Sequence, residues 1–450
     1  MSIKPPVNSS AKALEVIHKI TRGLLSNGYL EWQRPLDSKG RYLPYAEFRY
    51  RVKGGLDADI AWQLTRAARL GVSAPVIELG EPASLCRLFV TPGMQQSVSL
   101  VDRHTTEPML HWINSQIGER RNLEFLFADL VEDESISSSQ LEGAATTTRV
   151  AKEMLKRKRK PRSLDERMIL GNFRMMQFVW EKRAQPLDAD LIRELHHCGV
   201  QGIADDKYRP GQFRNSNEVV VANHEGDVVH QPPDFAGLDA RLQRLCDWAN
   251  ADGDIHGRYL PPLLKACILH FAIGFEHPFH DGNGRVARAL FYWFMFRHGF
   301  TAFRYISISH LLKQAHVQYG KSYLYTEADD MDLTHFVEYQ CQIVQRAIQR
   351  FVDTYQAAIK SLQEFDSFLY QSGLYGKLSD RARTVFQVAR SGVEHLFTIS
   401  NTADSLGCSY NTAATTLNDL VKLGLFRKEK EGREWIYQMV EPGQIMRQWQ

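Results

Sequence analysis

The stretch His277-Pro-Phe-His-Asp-Gly-Asn-Gly-Arg-Val-Ala-Arg288 lies between two apolar segments, and its reading decides how the whole chain is understood. Upstream, Leu264, Cys267, Ile268, Phe271 and Phe275 recur at helical spacing and make the core stripe of one helix. Downstream, Val286, Leu290, Trp293 and Phe294 line a face of a second helix. The quoted residues are therefore a loop that feeds a helix N-terminus. Gly282 and Gly284 allow backbone conformations in which successive N–H groups converge on an anion, and the unpaired amides of the following helix add positive potential.

That loop is a seat for phosphates. Arg285 and Arg288 stand three residues apart, hence on one helical face, and can add charge-assisted contacts to the same polyphosphate. Asp281 offers a hard oxygen suited to Mg2+. His277, at the loop entrance, can take a proton from a hydroxyl near neutral pH. The competing readings are a structural turn with a capping Asp and surface arginines, and a transition-metal site from His277 and His280. No further ligand set at zinc-type spacing accompanies the latter. The absence of a Walker A sequence excludes a P-loop NTPase.

Composition narrows the class. Of 450 residues, 24% are charged and 44% hydrophobic, which excludes a fibrous, wholly disordered or membrane-embedded chain. Lys+Arg 55 against Asp+Glu 52 leaves +3, so no global field demands a nucleic acid or an anionic membrane. The six cysteines (Cys86, Cys198, Cys246, Cys267, Cys341, Cys408) form no CxxC pair, which argues against a disulfide scaffold or zinc knuckle and for a reducing compartment. The longest apolar run, Ala289 to Phe296, is too short for a bilayer span, and the polar start Met1-Ser-Ile-Lys4 lacks a signal-peptide core. A cytoplasmic location and no membrane partner are expected.

The expected fold class is mainly α. Residues 28 to 110 mix short apolar runs with turn formers and are treated, within 1–110, as an accessory region. A helical segment follows over 111–185, with a basic patch at Lys156-Arg-Lys-Arg-Lys160 that reads as a solvated helix end, a localisation signal or a nucleic-acid contact. Residues 186–355 hold the motif. Within them, Val219–Val221 and Val228–Val229 flank the Gly-containing turn Asn223 to Asp227, an isolated hairpin among helices, while Leu238 to Trp248 and Phe336 to Tyr355 are helical. In 356–450, Thr398 to Gly407 and a helix capped by Ser409 precede a hairpin, Leu425–Lys428 and Trp435–Tyr437. That order resembles a winged helix-turn-helix, open to DNA contact or to protein interaction and dimerisation.

With every specified position present, the central string resembles the Fic motif, H-P-F-x-D/E-G-N-G-R-x-x-R, and the resemblance extends over residues 125 to 350. It implies a helical Fic core and an adenylyltransferase that moves AMP from ATP to a Ser, Thr or Tyr hydroxyl of a protein target, with Mg2+. It implies His277 as base and Asp281 as Mg2+ ligand. Asn283 and the amides around Gly282 and Gly284 would take the α- and β-phosphates, Arg285 the β- and Arg288 the γ-phosphate. The hairpin falls where the family places the flap that registers the target. Tyr319, Tyr323 and Leu324 sit where members have an aromatic near the adenine, with core packing the alternative. Glu276 departs from the aliphatic residue many members carry, and its charge is expected to raise the histidine pKa.

Ser138-Ser-Gln-Leu-Glu142-Gly143 matches the family's inhibitory pattern S/T-x-x-x-E-G/N, otherwise a common helix-start pattern. A carboxylate paired with Arg288 would occupy the γ-phosphate position and leave ATP an unproductive pose. The alternatives are a Glu142 that orients water for removal of AMP, and a nucleotide-sensing transcriptional regulator. A homodimer is compatible with the sequence.

Overall fold

The computed structural model describes residues 11–117, 132–203, 208–222, 226–391, 396–431 and 434–449. They are mostly helical, with three separate two-stranded antiparallel hairpins. The chain divides into two compact units, one drawing on Met1–Glu107 and Asp129–Ile348, the other on Pro108–Ala128 and Gln349–Gln450.

The centre of the first unit is the helix pair Pro262–Glu276 and Asn283–Arg297. Every residue from Arg285 to Phe296 is buried, so the second helix lacks a solvent face, the pattern of a helix enclosed by others rather than of an amphipathic one. Around the pair pack Leu164–Glu181, started by the Ser163 hydroxyl, Ala189–Val200, started by the Asp188 carboxylate, and Leu238–Asn250. The expected mid-chain hairpin is present but short, Val221–Ala222 with Val228–His230; turn residues 223–225 lie outside the described residues.

The N-terminal stretch is more regular than its turn formers suggest. Asp57 caps a helix over Ala58–Val72, Thr91 caps another over Pro92–His104, and between them runs the hairpin Ala74–Leu79 with Ser84–Leu88. This hairpin docks on the core: the Trp248 indole donates to the Val76 carbonyl at 2.8 Å.

The second unit holds its own core of Phe365, Leu374, Phe386, Leu417, Leu420, Leu425 and Tyr437. Thr398 caps Ile399–Leu406, and Gly407 ends it at φ 60. Ser409 caps Tyr410–Lys422, and Phe426–Glu431 then pairs with Glu434–Met439; Gly432 and Arg433 of the turn lie outside the described residues. The helix expected from Phe336 to Tyr355 runs from Thr334 to Gln371.

Candidate active site

Two consecutive backbone devices shape the loop between the central helices. His277 closes the first helix in the left-handed region, φ 48 and ψ 59, with its N–H on the Ile273 carbonyl at 3.0 Å. Gly282, at φ 87, opens the second, a conformation that suits a residue without Cβ. Asn283, first residue of the second helix, braces the loop: its Oδ1 accepts from the Phe279 N–H and its Nδ2 donates to the Phe279 carbonyl, both at 2.8 Å. The Asn283 side chain is thus spent on the loop, and what it can offer a phosphate is its backbone N–H. The first-turn amides of Asn283, Gly284 and Arg285 have no partner within the helix.

The two arginines are buried to 1% exposure, an unusual place for guanidinium groups without full pairing. Arg285 donates to the Gly199 carbonyl at 3.3 Å, but its Nε and Nη2 find no partner. Arg288 binds the Ser138 hydroxyl at 2.9 Å, the Ser138 carbonyl at 3.1 Å and Glu142 Oε1 at 2.8 Å, and its Nη1 is unpartnered. Burial opposes the charge on Arg288, yet the adjacent Glu142 carboxylate overrides it and holds the guanidinium above its ordinary pKa. Unsatisfied donors at such depth carry a desolvation cost that an anion would relieve.

Ser138 is not a helix start. The helix that carries it is described from 132 to its end at 141, and Gly143, at φ 97, follows that end, which leaves Glu142 at the C-terminal turn. The helix dipole disfavours a carboxylate there, so Arg288 is what retains it. A Cβ built on Gly284 would collide with Glu142 Oε1, so the glycine is needed for this approach as well as for the loop.

His277, Glu142, Gly284, Arg288 and Tyr319 line one cavity of about 610 Å3, together with Val221, Ala222, Val229 and His230 of the mid-chain hairpin. The His277 Nδ1 lies 3.1 Å from the Gly274 carbonyl, which makes it the protonated nitrogen and leaves Nε2 with the free lone pair. Burial pushes this imidazole down to about 4, so it is neutral at neutral pH. The expected upward shift from Glu276 is absent, because that carboxylate is turned away and spent: Oε2 accepts from Arg241 Nε at 2.7 Å and Oε1 from the Gly80 N–H at 2.8 Å.

Tyr319 lines the cavity with its hydroxyl 2.8 Å from His270 Nε2, and Tyr323 and Leu324 line it beside His316, Val317 and Gly320. Asp281 sits half-buried at the loop mouth, its Oδ1 accepting from the Gly282 N–H at 2.5 Å. A single carboxylate beside a phosphate seat fits Mg2+, which completes its shell with phosphate oxygens and water. Among the described residues, the group of His, Cys, Asp and Glu that converges as metal ligands do is Asp329, Asp332 and His335, not one containing His277 or His280. Asp329 is engaged by Arg66 and His335, and Asp332 by the Tyr42 hydroxyl.

Sequence patterns gave no sign of His196. Its Nδ1 accepts from the Gly211 N–H at 3.1 Å, so Nε2 donates to the Asp281 carbonyl at 3.0 Å, and its ring stacks on Phe279 with centroids 3.8 Å apart. Glu134, eight residues before Glu142 on the same helical face, accepts from the Ser307 hydroxyl and from the Ser309 N–H and hydroxyl, anchoring that helix.

A family model described as Fic/DOC matches residues 186–295. These residues are a Fic/DOC-family domain. The Fic segment is 32% identical over 142 residues to the protein adenylyltransferase Fic of Drosophila virilis, covering 31% of this chain and 27% of that protein. It is 33% identical over 142 residues to that of Drosophila yakuba, with 31% and 26% covered. The chain therefore spans about a quarter of the length of the curated relatives it matches. A Fic-family protein from Desulfovibrio desulfuricans G20 superposes with TM-score 0.51 at 17% identity over 78% of this chain and 96% of that one, which supports the Fic fold. No helix among the described residues is long and apolar enough to cross a membrane.

Proposed function

We propose that the chain is an autoinhibited AMP transferase that moves AMP from ATP to a Ser, Thr or Tyr hydroxyl of a protein, itself included. The observation that carries this reading is the state of Arg288: buried, lining the same cavity as His277, and occupied by Glu142 at 2.8 Å, while Arg285, three residues earlier on its helix, keeps two nitrogens unpartnered. A site built to hold several anionic oxygens has one of them supplied by the protein.

In the proposed reaction the acceptor hydroxyl gives its proton to His277 Nε2 as its oxygen bonds to the α-phosphorus, and the bond to the β-phosphate oxygen breaks to release diphosphate. Arg285, Arg288 and the first-turn amides hold the phosphates where charge develops. Asp281 would hold Mg2+, which supplies neutralisation of phosphate charge when bound. With Glu142 on Arg288 the γ-phosphate has no seat, and the α-phosphorus is not presented to the acceptor. The helix-helix-hairpin of residues 399–439 is proposed as a winged helix-turn-helix that brings the enzyme to DNA or to a protein partner, tested by a gel shift against pull-down.

Incubation with ATP labelled at the α-phosphate tests the proposal. Glu142→Gly is expected to label itself or added protein, and wild type weakly. Equal labelling of the two removes the inhibitory role, and label loss from a pre-modified protein assigns the reverse reaction instead.

A further inference from the structure

The base and the flap are held by different segments, yet productive transfer needs an acceptor on the flap to meet one nitrogen of His277. The structure assigns that registration to Arg214. We propose that Arg214 is a positioning residue that ties both feet of the flap to the backbone of the base; this rests on the reading of His277 and the flap given above.

Arg214 is 3% exposed and lies just upstream of the flap. Its guanidinium has five N–H donors. Nε donates to the His277 carbonyl at 3.0 Å, and Nη2 to the Glu276 carbonyl at 3.4 Å and to the Pro233 carbonyl. Nη1 donates to the Ser216 carbonyl and Asn217 Oδ1, each at 3.3 Å. All the donors are matched. Ser216 and Asn217 precede the first flap strand and Pro233 follows the second, so one planar cation joins the entry and the exit of the hairpin to the last carbonyls of the helix that ends in His277. The Arg214 N–H adds a further bond to the Pro278 carbonyl at 2.8 Å.

The charge suits its place, because orphan carbonyls at a helix C-terminus attract a cation. The same carbonyl cluster fixes the left-handed backbone of His277, which a residue with a Cβ adopts at a cost. Asn217 extends the clasp, since its Oδ1 also accepts from the Phe235 N–H at 2.9 Å beyond the second strand. Arg241 forms a parallel tie, from Glu276 Oε2 to the Asp234 carbonyl at 2.6 Å. A lysine cannot reproduce the planar fork, so charge alone does not replace Arg214.

The test uses the full chain carrying Glu142→Gly, with Arg214→Lys and, as a milder variant that leaves no bare buried cation, Asn217→Ala. Two readings are taken. Hydrogen exchange is expected to quicken at residues 219–222 and 228–230 in both variants, with the middle of the Pro262–Glu276 helix unchanged. AMP transfer to protein is expected to fall on the order of 10- to 100-fold for Arg214→Lys, the scale of a small misplacement of reacting groups, while affinity for ATP stays within about twofold. Flap exchange as slow as in the parent overturns the proposal. So does a parallel loss of ATP binding and transfer, which would make Arg214 a general support of the fold. If the Glu142→Gly parent itself transfers no AMP, the enzymatic reading fails, and the exchange measurement still decides whether Arg214 holds the flap.

Discussion

The loop-helix segment 277–288 carries two arginines in the first turns of its helix, the C-terminal segment 399–439 carries its cations at a helix end and along its hairpin, and the two treat those charges in opposite ways. In the first, Arg285 and Arg288 are buried to 1% exposure with three nitrogen atoms left without partners. In the second the cations sit at the surface and pair locally, Lys428 with Asn418 at 3.3 Å and Arg427 with Gln438 at 2.8 Å. A surface pair adds little and can be exchanged for water, whereas a buried guanidinium with unpartnered donors carries a desolvation cost that an anionic ligand would offset. The proposed function puts its chemistry in the first segment and contacts in the second.

Removing the base should give the largest difference between the two regions. His277→Ala on the Glu142→Gly background is expected to lower α-phosphate label transfer about 10²–10⁴-fold, the usual worth of a general base, and full retention of transfer would place the base elsewhere. Next in size is the gain from Glu142→Gly alone. The contact it removes is a charge-assisted bond worth ~1.5–3 kcal/mol, so labelling should rise on the order of 10- to 100-fold over wild type.

A smaller effect is expected from pH. As the proposed base His277 would act in its neutral form, and its pKa is lowered to about 4 by burial, so transfer by Glu142→Gly should stay flat from about pH 8 to pH 6 and fall only as pH drops toward that value. A rate that halves near pH 6.5, the ordinary histidine value, would show an imidazole in water instead. Least affected should be transfer by Leu417→Ala. That change deletes fully buried volume in the second unit and should cost it ~2–5 kcal/mol in denaturant unfolding, with labelling by the Fic domain unaltered.

The core helices and the loop were legible in sequence because they depend on local periodicity and on residues within a dozen positions of each other. Thr398, Ser409 and Gly407 likewise announced their helix ends, since caps act over a few residues. What escaped were ties across long separations. Glu276 reads as a charge beside the base until Arg241 and Gly80 are seen to take it up, and Arg214 and His196 carry no pattern that links them to the loop. Ser138 reads as a cap by composition, but it lies inside the helix because Glu134, Ser138 and Glu142 share a face that packs toward Ser309 and Arg288.

In the proposed resting state, Glu142 stands where a phosphate belongs. A crystal structure of the Glu142→Gly protein with Mg2+ and a non-hydrolysable ATP analogue tests it most directly. The expected result is a triphosphate over the Asn283 helix start, with Arg285 and Arg288 on its terminal phosphates and His277 Nε2 facing the α-phosphorus. Phosphates bound away from both arginines, or an imidazole turned from the cavity, would contradict the account.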